Sequence, residues 1–244
     1  MPSGPIDLIA FDADDTLWHN ERSYRDGRVR FCRLLAGAGV ELDAGAVEAR
    51  LNEIELENLP YYGYGVSSFA LSLIETAIEL TGGRIAGAEL REIIQLAKEM
   101  LAEDVELFPE VASILSTLAA SYPLMLVTKG DLLHQTSKIE RSGLRDRFRF
   151  VEVVSRKDAA TYARILSRHG VDPARFLMVG NSLRSDVLPV LELGGWAVHV
   201  PADLSWSHEH ADLPAAMTHR YLEIAALDRL PDLVERLAPA DPAR

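Results

Sequence analysis

The apolar run IDLIAF at residues 6–11 is the length of a strand, and the next run of the same kind, PLMLVT, begins only at residue 123. No ordinary connection between neighbouring strands is that long, so the segment between them must be a structure in its own right. Four blocks within it, SYRDGRVRFCRLLAGAG, AGAVEARLNEIELENL, SSFALSLIETAIEL and GAELREIIQLAKEML, place apolar residues at helical spacing, with Gly or Pro between the blocks. An all-helical unit over residues 19–103 is therefore expected, inserted into a second unit made of residues 1–18 and 104–244. The block PEVASILSTLAAS, opened by Pro109 near its first turn, reads as the helix that leads back into the second strand.

From that strand onward the pattern changes. The runs FRFVEVV, FLMVG and WAVHVP alternate with the helical segments LHQTSKIERSGL, AATYARILSRHG and RSDVLPVLELG. Strand alternating with helix implies βαβ units. The expected core is thus α/β and Rossmann-like, three layers around a mostly parallel sheet of five strands, with FLMVG as a central buried strand because it has no polar alternation. With 48% apolar residues the chain can bury a sizeable core, and its ending, LAPADPAR, reads as frayed.

Composition narrows the partners. The lone cysteine, Cys32, excludes an internal disulfide and fits a reducing compartment. The opening MPSGPIDLIAF has no basic stretch followed by a long apolar core, and no apolar run approaches the length of a membrane span. A formal net charge of -12 opposes binding to nucleic acid or to anionic lipid, which carry the same sign. These features predict a soluble, cytoplasmic protein that binds neither nucleic acid nor membrane.

In an open parallel sheet the loops leaving the carboxyl ends of the strands converge on one edge, where ligands bind. The first strand ends in DADDT, the second in TKGD, the third runs into SRKD and the fourth into GNSLRSD. Asp12, Asp14, Thr128, Lys157, Asn181 and Asp186 are thereby predicted to share one rim. Acids, a hydroxyl and an ammonium are the parts needed to hold a divalent cation and a phosphoryl group.

These four motifs, in this order and strand context, with a helical insert after the first strand, resemble the haloacid dehalogenase superfamily. Within it they are most similar to the aspartate-nucleophile phosphatases with a helical cap. The resemblance spans the whole core. It implies that Asp12 is the nucleophile, forming an aspartyl-phosphate, and that Asp14 is the general acid and base. Thr128, with Lys129 beside it, and Lys157 would hold the phosphate. Mg²⁺ would sit among Asp12, the backbone carbonyl of Asp14, Asn181 and Asp186. The implied activity is magnesium-dependent hydrolysis of a small phosphate monoester. A phosphotransferase, a 2-haloacid dehalogenase-type hydrolase and a non-catalytic phosphometabolite-binding protein are the alternatives.

The chain departs from the family pattern in two places. The fourth motif usually begins Gly-Asp, and here it is Gly180-Asn181, an amide oxygen where a charge is usual. The third motif often has prolines soon after its lysine, whereas RKDAATY has none, so Lys157 is assigned by context with Arg156 as the fallback. Other polar features read more plainly. Asp15 and Thr16 are expected to cap the turn after the first strand, and the histidines of HEH at 208–210 to lie in a polar loop. Tyr61, Tyr62 and Tyr64 are expected in a connection between helices, either facing a ligand or packed into the insert.

Overall fold

The computed structural model describes residues 6–237, so the LAPADPAR tail beyond Leu237 lies outside the described residues. Two compact units emerge. One comprises Met1–His19, Val105–Lys129 and Gln135–Arg244, and the other Asn20–Asp104 with Gly130–His134.

The first unit is built on β1 (Leu8–Phe11), β2 (Leu124–Lys129), β3 (Phe150–Val154), β4 (Phe176–Gly180), β5 (Trp196–His199) and β6 (Tyr221–Glu223). They form one sheet in the order β3-β2-β1-β4-β5-β6, and every pairing is parallel. The sheet has six strands rather than the five expected. The sixth, YLE, is three residues long and pairs only with β5, too short and too polar to read as a strand from pattern alone.

Strand periodicity sorts the core into two faces. Leu8, Ala10, Met125, Val127, Phe176 and Met178 pack on one side with Tyr162, Ile165 and Leu166 of the helix α7 defined below. Ile9, Phe11, Leu124, Leu126, Leu177 and Val179 face the other side with Ile114, Leu115, Leu230 and Val234. Both faces of β1, β2 and β4 are buried, which is why their sequences are apolar without alternation. The helices of this unit, numbered along the chain after the four of the insert, are α5 (Val111–Ala119), α6 (Leu132–Arg141, whose start clusters with the other unit), α7 (Ala159–His169), α8 (Leu188–Glu192) and α9 (Leu230–Leu237).

The order of strands fixes where a ligand can sit. The chain leaves β1 towards β2 and β3 on one side, then crosses back to β4 on the other, so the topology reverses between β1 and β4. The backbone is stitched across this point, the Asp12 N–H donating to the Val179 carbonyl at 2.9 Å. A crevice at the carboxyl ends of these two strands follows.

The second unit contains α1 (Glu21–Gly37), α2 (Ala44–Tyr62), α3 (Val66–Leu80) and α4 (Gly87–Ala102), closed around Phe31, Leu35, Leu51, Phe69, Leu73 and Ile93. The Asp43 carboxylate caps α2 by accepting from the Ala46 N–H at 2.9 Å. Helix α2 runs through Pro60 and stops at Gly63, whose φ of +71° suits glycine. Tyr61 and Tyr62 are therefore helical, at 80% and 54% exposure, and are not packed into the interior of the insert. Among the described residues no helix is long and apolar enough to cross a membrane.

Candidate active site

On an extended strand, residues two apart point the same way, and Asp12 and Asp14 would then compete for one space. The backbone avoids this by ending β1 at Phe11 and curling. The Ala13 carbonyl accepts from the Leu17 N–H at 2.8 Å, and the Asp15 N–H donates to the Trp18 carbonyl at 2.8 Å. Asp15 takes a φ of +58°, a left-handed conformation that Asp tolerates better than branched residues do. The curl turns Thr16 back on the strand, so that its hydroxyl donates to Asp12 Oδ2 at 2.8 Å and lies 3.4 Å from Asn181 Oδ1. Thr16 thus joins the first and fourth motifs as well as the turn.

Asp12 is buried, and its second oxygen meets Lys157 Nζ at 2.5 Å. The same ammonium reaches Asp186 Oδ1 at 2.7 Å. Lys157 is set there by the start of α7: the next residue, Asp158, is the N-cap, its carboxylate accepting from the Thr161 N–H at 2.8 Å. Arg156 is exposed, which leaves Lys157 as the cation of the third motif. One ammonium between two buried carboxylates leaves the cluster short of positive charge. Burial, together with the Asp186 and Asp14 charges and against the pull of Lys157, accordingly pushes the Asp12 carboxyl up to about 7. For Lys157 burial opposes the charged form, but Asp12 and Asp186 outweigh it and hold the ammonium well above its ordinary range.

Asp14 lives in a different environment. Trp18 Nε1 donates to its Oδ1 at 2.6 Å, Gln135 Nε2 to its Oδ2 at 2.8 Å, and Lys138 forms an ion pair with Oδ1. Gln135 and Lys138 are one turn apart on α6, both buried, so one face of that helix grips the carboxylate. Burial alone would raise the Asp14 pKa, yet Lys138, Gln135 and Trp18 together hold it below the usual carboxylate value. Two acids two residues apart are thus driven in opposite directions.

The fourth motif follows β4 and opens with an uncommon turn. Residues Leu183–Val187 form a π-helical turn before α8, and Ser182 caps it by accepting from the Ser185 N–H at 3.0 Å. π-helical turns are rare and gather at functional sites. Pro189 has no N–H to offer the Ser185 carbonyl four residues back, and the buried Tyr162 hydroxyl donates to that carbonyl at 3.1 Å instead. The turn carries Asp186, whose Oδ2 accepts from the Ser182 N–H at 3.0 Å. Asn181 is anchored through its own carbonyl, 3.0 Å from His199 Nε2.

Gly180 is required by this packing. A Cβ built on it would lie 2.3 Å from Asp186 Oδ2. The substitution Gly180→Ala is expected to push Asp186 off Lys157 and to cost about 1–3 kcal/mol of stability, as overpacking does. Denaturant unfolding of the variant beside wild type measures it, and an unchanged midpoint would mean that the carboxylate moves aside freely.

Of the residues expected on the rim, Asp12, Lys157 and Asp186 are in direct contact, and Thr16 links Asn181 to them. Asp14 shares the loop but is held by its own partners. Thr128 is buried near the end of β2. Lys129, the last residue of β2, pairs with Glu209 and lies 2.9 Å from Ser185 Oγ. Sequence reasoning missed Gln135, Lys138 and Glu209. The first two carry a readable sign only in hindsight, as polar groups on one otherwise buried face of α6. Glu209 sits in the HEH segment, far from any motif, yet its carboxylate is largely buried against Lys129, Ser182 and Ser185.

Residues 6–194 match the haloacid dehalogenase-like hydrolase family. The rat N-acylneuraminate-9-phosphatase is 25% identical over 200 residues, covering 78% of this chain and 79% of its own. Among solved structures, a haloacid dehalogenase-like family hydrolase from Xanthomonas campestris is 41% identical with a TM-score of 0.86, over 98% of this chain and 94% of its own. A 2-haloacid dehalogenase from Pseudomonas syringae pv. Tomato shares the fold, with 23% identity and a TM-score of 0.63 over 96% and 100% of the two chains. The family match covers β1, the insert, the Lys157 strand end and the turn that carries Asp186, so the chain belongs to the haloacid dehalogenase-like hydrolases.

Proposed function

We propose that this hydrolase cleaves a small phosphate monoester through an aspartyl-phosphate on Asp12. The observation that carries the reading is the second carboxylate, Asp14, held by Trp18, Gln135 and Lys138 on the same loop as Asp12. The dehalogenases of the superfamily lack a carboxylate there. Attack on a carbon–halogen bond releases halide, which needs no proton, whereas an alkoxide leaving from phosphorus does.

In the first step an oxygen of Asp12 attacks phosphorus. The bond from phosphorus to the ester oxygen breaks, and that oxygen takes a proton from Asp14. In the second step Asp14 accepts a proton from water as the water attacks phosphorus, and the acyl-phosphate bond breaks to return Asp12 and release phosphate. Asp14 is ionised in the free site, as its second task requires. A phosphate dianion arriving beside it favours the protonated form needed first, because like charges raise a carboxyl pKa. Lys157 screens Asp12 and the charge on phosphorus, and Thr128 offers its hydroxyl to a phosphate oxygen. Lys129 is occupied by Glu209, so phosphate binding rests on Thr128 and Lys157 in this reading.

Mg²⁺ fits the residues present. Asp12, Asp186, the Asn181 amide and the Asp14 carbonyl are all hard oxygen donors, and the buried cluster has more carboxylate than ammonium. Among the described residues no three His, Cys, Asp or Glu side chains gather as a metal cluster, consistent with a set of only two carboxylates completed by neutral oxygens and water. When bound, the ion would polarise the phosphoryl group and neutralise its charge.

Phosphate release from 4-nitrophenyl phosphate, with Mg²⁺ and with chelator, and halide release from 2-chloropropionate test the reading together. Metal-dependent phosphate release without halide release is expected. Halide release with no phosphatase activity would transfer the chain to the dehalogenases.

A further inference from the structure

The segment between β5 and β6 crosses residues 200–220 without strand or α-helix, and one side chain of it returns to the rim. Glu209 Oε2 accepts from Ser182 Oγ at 2.6 Å and from Ser185 Oγ at 2.6 Å, while its Oε1 pairs with Lys129 Nζ. Burial would raise this carboxyl, but the Lys129 charge and the hydrogen bonds hold it at about 2, so it is ionised at any working pH. The donors come from two different strand ends. Lys129 closes β2, and the serines belong to the turn after β4. In the sheet those two strands flank β1, which carries Asp12. One carboxylate therefore ties together the ends on either side of the nucleophile's strand.

The turn it holds has reason to need holding. It is a single π-helical turn, a geometry that is rare, and Pro189 just after it removes one backbone donor. Ser182 caps this turn and also gives its N–H to Asp186, which in turn holds Lys157 on Asp12. A second tie, from Arg184 to the His210 carbonyl at 3.4 Å, fastens the same segment to the same turn.

We propose that Glu209 is a positioning residue of the site. Its carboxylate, seated in the cradle of Lys129, Ser182 and Ser185, fixes the turn that presents Asp186 to Lys157. This rests on the reading of Asp12 as nucleophile with Lys157 and Asp186 behind it. Glu209 touches none of those three and is not a catalytic residue. The cradle is a site for a carboxylate that the chain itself fills.

The test uses the full chain with Glu209→Ala and Glu209→Gln, 4-nitrophenyl phosphate as substrate, and sodium formate as a probe for the vacated cradle. Glu209→Ala is expected to lose kcat by about 10–100-fold, the effect typical of partners behind a metal or catalytic group. KM should stay within about threefold, since the substrate is not contacted. Formate should restore part of kcat in a saturable way. It should also raise the thermal unfolding midpoint of Glu209→Ala while leaving wild type unmoved. Glu209→Gln, which keeps an acceptor but not the charge, should fall between the two. A Glu209→Ala protein as active as wild type, or faster, would overturn the proposal; a faster variant would make Glu209 a block on Lys129. Loss of activity only in proportion to loss of folded protein, with no response to formate, would overturn it as well. A wild type that hydrolyses nothing would count against the phosphatase reading itself, and the formate-induced stabilisation of Glu209→Ala would still decide whether the cradle holds a carboxylate.

Discussion

Asp12→Asn is expected to abolish turnover, with kcat for an aryl phosphate falling by about 10⁴-fold or more, the scale seen when a covalent nucleophile is removed. The substitution is close to isosteric. With its oxygen in the Oδ1 place the amide can still accept from Lys157, and its NH2 in the Oδ2 place can donate to the Thr16 hydroxyl, which must turn to accept it. What the substitution removes is the charge that, in the proposed mechanism, attacks phosphorus. In wild type that charge sits in a buried cluster beside Asp186, with burial and Asp186 pushing the carboxyl up and one ammonium holding it down. Removing one of two like charges relieves repulsion, so the variant is expected to be no less stable than wild type in chelator. Thermal unfolding and phosphate release on one sample check both halves. An Asp12→Asn protein that keeps a tenth of wild-type activity would place the nucleophile elsewhere.

Lys157→Met has the opposite balance, with the larger effect on stability. The lysine side chain is 1% exposed and pairs at 2.5 Å with Asp12 and at 2.7 Å with Asp186. Its loss leaves two carboxylates in a buried site with no ammonium, and breaking a buried pair in this way costs about 3–5 kcal/mol. The sign of the pH dependence follows. With the Lys157 charge gone, Asp12 loses the main influence that lowers its pKa, so its folded value rises further above the unfolded one, 3.8. A group raised on folding contributes stability that is complete below its unfolded pKa and lost as pH rises through the folded value. The deficit of Lys157→Met against wild type is therefore level between about pH 4 and 7, where Asp12 is protonated in both folded proteins, and widens as pH rises through about 7, where only the wild-type carboxyl ionises. Denaturant unfolding in chelator at several pH values measures it. A deficit that does not widen above pH 7 would mean that the lost lysine acts by packing alone.

How much of this was readable in advance depends on where a residue's partners lie in the sequence. The strands β1, β2 and β4 were legible because both of their faces are buried and their runs are apolar, as in FLMVG, and β3 and β5 as short runs rich in β-branched or large apolar residues. The helical insert was legible from the distance between two strands. Asp12, Lys157 and Asp186 could be placed on one rim because each stands at a strand end and a parallel sheet brings such ends together. The grip on Asp14 was not legible. Gln135 and Lys138 are spaced to share a face of α6, but nothing in the sequence says what that face meets. The π-helical turn was hidden for a related reason: RSDVLPVLELG has helical spacing, and only the Pro189 and Tyr162 contacts reveal the wider turn. Glu209 was furthest from view. Its partners, Lys129, Ser182 and Ser185, are joined to it by the sheet order and not by any spacing, so a buried anion reads as one more polar loop residue.

In the proposed mechanism the phosphoryl group passes through Asp12. The most direct measurement is to mix the protein with 4-nitrophenyl phosphate and Mg²⁺, quench in acid, reduce with borohydride, and locate the modified residue by peptide mass spectrometry. Reduction converts an aspartyl-phosphate to homoserine, and the account predicts homoserine at position 12 alone. Turnover with an unmodified Asp12, or homoserine at another aspartate, would contradict it.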